Sequence, residues 1–164
     1  MPIEPNSALP VAATDAVPAS FESFHEAVPP SENLLFGVAA GVVAMLAGTA
    51  AWVGVTVGTG YQIGYLAVGV GFLVGFAMRK FGHGQTPLFA GIAAGLSLLG
   101  CALGNLFTGC QFIATEFEVP FGEVLGNLDF ASIQEIMTAM FSPMDILFYG
   151  LALWAGWKYS VVRE

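Results

Sequence analysis

The 164-residue sequence predicts an all-α membrane protein with four transmembrane helices, an outer interfacial amphipathic helix and a disordered N-terminal tail. Three observations predict it. Hydrophobic residues make up 56% of the chain and charged residues only 10%, where a soluble domain carries about 25% charged residues. Mean hydropathy is +0.76. Uncharged runs long enough to cross a hydrocarbon core of about 30 Å recur along the chain. The only four basic residues, Arg79, Lys80, Lys158 and Arg163, sit at the ends of such runs.

Residues 1–33 form a proline-rich acidic segment without lysine or arginine. They bring little apolar surface to offset the entropy of ordering, so a flexible tail is expected. Within it Phe21, Phe24 and Val28 recur at helical spacing beside Glu22 and Glu26, a pattern that suits docking on a cytoplasmic partner. The four-span domain covers residues 34–160. Its first span occupies about 34–57 and gives way to a small-residue turn at Thr56–Gly60. A second, about 61–78, is stopped by Arg79-Lys80; Phe81–Thr86 makes a polar loop. Pro87 then suits the first turn of a third span, about 88–110. Residues 115–142 are too acidic to cross. Pro120, Gly122 and Gly126 interrupt their first half, and their second half reads as an interfacial helix capped by Asp129. Phe130, Ile133, Met137, Met140 and Phe141 form its apolar stripe. Ser142-Pro143-Met144-Asp145 has the spacing of a capping box. It launches a fourth span, about 143–159, with Trp154, Trp157 and Tyr159 at headgroup level and residues 161–164 beyond.

Short loops make neighbouring spans antiparallel, and lysine and arginine mark the cytoplasmic side. Arg79 and Lys80 follow the second span, Lys158 and Arg163 the fourth, so four spans place all of them on one face. Both termini are then cytoplasmic and the acidic 115–142 segment lies outside. Three spans would separate the bases across the bilayer.

Glycine is the dominant compositional signal, with 21 residues. Gly37/Gly41, Gly54/Gly58, Gly60/Gly64, Gly71/Gly75, Gly91/Gly95 and Gly100/Gly104 are each four apart. Lipid tails solvate leucine as well as protein does, so helices associate through close backbone approach, which such pairs permit. The pairs serve packing within one subunit, between subunits, or both. Polar residues inside the spans are few: Thr49, Thr56, Ser97, Asn105 and Thr108. They bridge helices or line a pore.

Several functions lose their chemical basis. Without a basic cluster, nucleic-acid binding has no electrostatic footprint. Pumps and ion-coupled carriers keep ionisable groups inside the membrane, and none occurs between Leu34 and Met78 or between Leu88 and Ala114. His25 falls in the tail and His83 in a loop, so no haem ligand lies mid-membrane and no metal or cofactor is expected. Cys101 and Cys110 fall on opposite faces of one helix, too far apart to bridge. No nucleophile–histidine–acid arrangement exists, so no catalytic residue is assigned.

Trp52, Tyr61-Gln62-Ile63-Gly64-Tyr65, Gly69-Val70-Gly71 and Gly75-Phe76-Ala77-Met78-Arg79 resemble the central part of small multi-span bacterial inner-membrane proteins of unknown function. Some of those carry a cysteine-rich zinc domain ahead of the spans; this tail has no cysteine. The resemblance implies a bacterial inner membrane. The expectation is a non-enzymatic protein, embedded in the lipid bilayer, that forms a homo-oligomer or joins a larger membrane complex. The alternative is a passive channel for cations or small neutral solutes, lined by Thr56, Ser97, Asn105 and Thr108 under an acidic vestibule.

Overall fold

The structure, a computed structural model, describes residues 31–161. The tail with Phe21, Phe24 and Val28, and Arg163 at the other end, lie outside the described residues. Every regular element among the described residues is helical: α1 (Leu34–Thr59), α2 (Tyr65–Gly82), α3 (Pro87–Glu116), α4 (Phe121–Gly126), α5 (Phe130–Met140) and α6 (Pro143–Ser160).

Local chemistry sets the helix ends. The Asn33 side chain accepts the Phe36 N–H at 3.1 Å and caps α1. At the far end Gly60 takes φ 70°, a left-handed turn that glycine adopts without steric cost, and its N–H returns to the Thr56 carbonyl. α2 begins at Tyr65, later than the apolar run suggests, and continues past Arg79 and Lys80 to Gly82. Both bases therefore lie in the last helical turn, where the helix dipole favours positive charge. Thr86 precedes Pro87, the first residue of α3. Thirty residues give α3 a length of about 45 Å, so it outreaches the hydrocarbon core.

The acidic segment departs from expectation in two places. Pro120 falls in the break between α3 and α4, at the N-cap of α4, where a missing N–H costs nothing, but Gly122 and Gly126 lie inside that short helix. Asp129 does cap α5, accepting the Ser132 N–H at 2.7 Å, and these bonds hold its carboxyl below the usual carboxylate range. The buried face of α5, however, centres on Ile136, only 8% exposed, while Phe130 is 83% exposed. The helix seats on α3, where Gly109 leaves room for Ile136 and Met140; Phe130 points away from that contact.

α1, α2 and α3 are each long and apolar enough to cross a membrane. α5 and α6 meet that test together, as a pair bent by 98°. The chain is thus a multi-span membrane protein with three such helices, or four if the bent pair is one span. α6 runs within the bundle. Gly71 lies against Ala152 and Gly75 against Gly156, so α2 and α6 are parallel in close register. Ser97 meets Gly156 while Asn105 meets Tyr149, so α3 opposes α6. Gly37 meets Phe89 and Gly104 meets Trp52, so α1 and α3 are parallel. α2 and α3 pack against each other and against both α1 and α6.

This arrangement brings Arg79, Lys80 and Lys158 to one end of the bundle. There the Asn33 N–H donates to the Gly82 carbonyl at 2.9 Å, and the Thr86 hydroxyl donates to Glu32 at 2.8 Å. Lys158 Nζ stands 4.5 Å from the centre of the Trp154 ring, a cation–π contact. Glu116, Glu118, Glu123, Asp129 and Glu135 belong to the opposite end.

The α2–α6 contact is the tightest backbone approach. A Cβ on Gly71 collides with the backbone of Ala152, whereas one on Gly69 meets open space. Gly71→Ala is therefore expected to destabilise the fold by about 1–3 kcal/mol. Gly69→Ala gains helix propensity and leaves stability equal or higher. Unfolding of the two variants by SDS titration from mixed micelles checks this.

Candidate functional site: the polar seam

The interior is apolar over most of its length, built from Met45, Trp52, Val70, Val74, Met78, Phe89 and small residues around them. Towards the acidic end it becomes polar. Asn105, 1% exposed, projects from α3 into this region. Its carbonyl oxygen accepts from Gln62 Nε2 at 3.0 Å, and its own amide donates to the Tyr149 hydroxyl at 2.5 Å. The Tyr149 hydroxyl in turn reaches the Cys101 carbonyl at 3.5 Å. Gln62 also contacts the Met140 carbonyl at 3.5 Å. One amide side chain thereby links α3 to α6 and to the unwound residues between α1 and α2. That use of Gln62 accompanies the late start of α2.

Asp145 lies one turn before Tyr149 on α6 and is only 3% exposed. Its Oδ2 accepts the Ser142 N–H at 2.8 Å, the return half of the capping box; the Met144 N–H donates to the Ser142 hydroxyl at 3.4 Å. Asp145 and Tyr149 stand four residues apart on α6, on one face of that helix. An acid that reads in sequence as a helix cap is therefore also a buried member of the polar group.

The remaining polar residues are packed. Thr49 donates to the Gly100 carbonyl at 3.0 Å, across α1 and α3. Ser97 donates to the Ala93 carbonyl of its own helix at 2.7 Å and presses on Gly156. Thr56 and Thr108 are fully buried, and among the described residues neither hydroxyl has a hydrogen-bond partner; nor does the indole N–H of Trp52. Trp52 sits on Gly104, and Thr56 and Thr108 lie one turn further along the same pair of helices. Thr56, Ser97, Asn105 and Thr108 are each at most 1% exposed. A lumen wide enough for water would leave their atoms accessible, so in this conformation no water-wide path runs beside them. Cys101 and Cys110 are buried free thiols. Among the described residues no three histidine, cysteine or acidic side chains are grouped as a metal site requires.

The glycines divide by surroundings. Gly37, Gly41, Gly64, Gly71, Gly75, Gly100 and Gly104 each stand where an added Cβ meets a neighbouring helix or side chain closely. Gly37 is filled by the Phe89 ring, Gly41 by Met78, Gly64 by Phe148, and Gly100 by Met45 and Val70. At Gly54, Gly58, Gly60 and Gly95 a Cβ meets nothing within 4 Å, and at Gly91 only Trp157 at 3.9 Å. Those five take no part in close packing within the subunit.

Gln62, Tyr149 and the burial of Asp145 are the members of the seam that sequence reasoning missed. Asp145 and Tyr149 share an i, i+4 face of α6, a signal that was legible. Gln62 sits in a turn whose side-chain direction no periodicity reveals. Comparison with known proteins finds no matching family model, no matching curated protein and no matching solved structure.

Asn105→Leu takes a partner from the Gln62 amide and from the Tyr149 hydroxyl together, leaving each only a 3.5 Å contact, to the Met140 and Cys101 carbonyls. An interhelical hydrogen bond in a membrane contributes on average about 0.6 kcal/mol and up to about 1.7. A loss of about 1–2 kcal/mol is expected, with Tyr149→Phe adding little once Asn105 is gone. A double-mutant cycle on unfolding free energy in mixed micelles measures that coupling.

Proposed function

We propose that this chain is a non-enzymatic membrane assembly protein of a bacterial inner membrane. It packs by glycine-rich helix faces and assembles with copies of itself or as an accessory subunit of a larger complex. In this reading both termini are cytoplasmic, as the basic end of the bundle suggests through the positive-inside rule. The acidic segment with α4 and α5 then lies outside.

The observation that carries the reading is the open pair Gly54/Gly58 on α1. Ala47, Ala51, Gly54 and Gly58 are all exposed and recur at i, i+4, i+7 and i+11 on one face. A lipid-facing helix surface has no need of such small residues, because bulky apolar side chains suit lipid equally well. Small residues in register are what close approach of another transmembrane helix requires. Gly91 and Gly95 make a second open pair on α3. Passive conduction finds less support, because Thr56, Ser97, Asn105 and Thr108 are closed into the packing.

Gly54→Leu with Gly58→Leu is expected to leave the folded subunit intact, since neither site is crowded, and to weaken assembly at least tenfold. Native mass spectrometry of protein released from lipid nanodiscs reads both. A wild-type chain that stays monomeric at all protein-to-lipid ratios, with no co-purifying membrane partner, contradicts the reading.

A further inference from the structure

Beyond assembly, the surface between α1 and α2 near the basic end has its own shape. Phe36, Ala40, Val43 and Ala47 of α1 face Leu73, Ala77 and Phe81 of α2 across a groove of about 450 Å³. That is within the range of ligand clefts, about 300–1,000 Å³. Its walls are almost wholly apolar. From Phe36 to Ala47 it extends about 16 Å along the helix axis, half of a hydrocarbon core of about 30 Å. The groove therefore has the depth of a single leaflet.

Its mouth is charged. Leu73, Ala77 and Phe81 line the groove at i, i+4 and i+8; Lys80, the residue before Phe81, stands beside that stripe at its outer end, about 60° round the helix from its centre. Arg79 is the next residue back, about 100° round the helix. Both are exposed, and neither has an ion pair among the described residues. The nearest described carboxylate at this end, Glu32, is engaged by the Thr86 hydroxyl. An apolar slot one leaflet deep, opening beside an ammonium that no described carboxylate pairs, matches an acyl chain joined to an anionic headgroup.

We propose that the α1–α2 groove is a binding site for an anionic glycerophospholipid of the leaflet on the basic side. The acyl chain lies between Phe36 and Ala47, and Lys80 holds the headgroup phosphate. The site requires membrane embedding but not oligomerisation; it shares only Ala47, at its inner end, with the small-residue face of α1, and the two are separable by experiment. The chain has a net charge of -8, but the end of the bundle onto which the groove opens is the one where Arg79, Lys80 and Lys158 gather.

The test uses the full chain in nanodiscs of equimolar phosphatidylglycerol and phosphatidylcholine, with retained lipid counted by native mass spectrometry. The wild type is expected to keep one phosphatidylglycerol per chain in preference to phosphatidylcholine. Lys80→Gln lowers that preference about fivefold, while Arg79→Gln, further round from the stripe, keeps at least half of it. Val43→Trp fills the groove from its exposed side and removes retained lipid of both kinds; helical circular dichroism confirms that each variant is folded. Soluble glycerol phosphate does not compete, because the acyl chain is part of what is recognised. Equal retention of the two lipids, an unchanged preference in Lys80→Gln, or undiminished retention in Val43→Trp overturns the proposal. So does a groove occupied by a second copy, seen as a dimer that Val43→Trp dissociates.

Discussion

In a bilayer, burying a leucine against another helix gains little over leaving it in lipid, so helix association rests on how closely two backbones approach. The rest of this fold follows from that constraint. α2 and α6 meet where Gly71 receives the backbone of Ala152 and Gly75 that of Gly156. α1 and α3 meet where glycines receive large side chains instead: Phe89 at Gly37, Trp52 at Gly104. The first mode brings main chains together; the second uses an absent side chain as a socket. The first holds α6 in the bundle although its sequence is less apolar than those of the other three long helices. The alternating directions of the four helices gather Arg79, Lys80 and Lys158 at one end.

The same constraint explains the placement of polarity. A buried amide in lipid must find partners within the protein, and Asn105 finds two, Gln62 and Tyr149. This group ties the unwound residues before α2 to the bend between α5 and α6, where helix geometry alone leaves the backbone least constrained. Asp145 belongs to the same region and caps α6 from inside the protein. The polar seam acts as a clasp at the acidic end, complementary to the glycine contacts that run along the bundle.

The helices were legible in the sequence because their signals are local: the Asp129 and Ser142 caps, Pro87 and Pro143 at first turns, and the small-residue turn Thr56–Gly60 after α1. The common end of Arg79, Lys80 and Lys158 was legible too, because alternating direction follows from loop length. Spacing could not separate the glycines. Gly37/Gly41 and Gly54/Gly58 share one helix and one motif, yet the first pair is filled by Phe89 and Met78 and the second faces outward. That difference depends on which way α1 is rotated, a property of its neighbours. The stripe of α5 was read only in part, for a related reason: Ile133, Met137 and Met140 are half-buried, but Ile136 was left out and Phe130 is exposed. Periodicity finds an apolar face, but the socket at Gly109 selects Ile136 and Met140 as its centre.

In the proposed assembly, glycines facing inward build the subunit while Ala47, Ala51, Gly54 and Gly58 meet another transmembrane helix. A cysteine scan along α1 in native membranes, with oxidative crosslinking before solubilisation, tests this most directly. Crosslinked product is expected at those four positions with helical periodicity. None is expected at Met45, Gly48 or Trp52, which are packed against α2 and α3. No product at any of the four, or equal product at the inward positions, contradicts it.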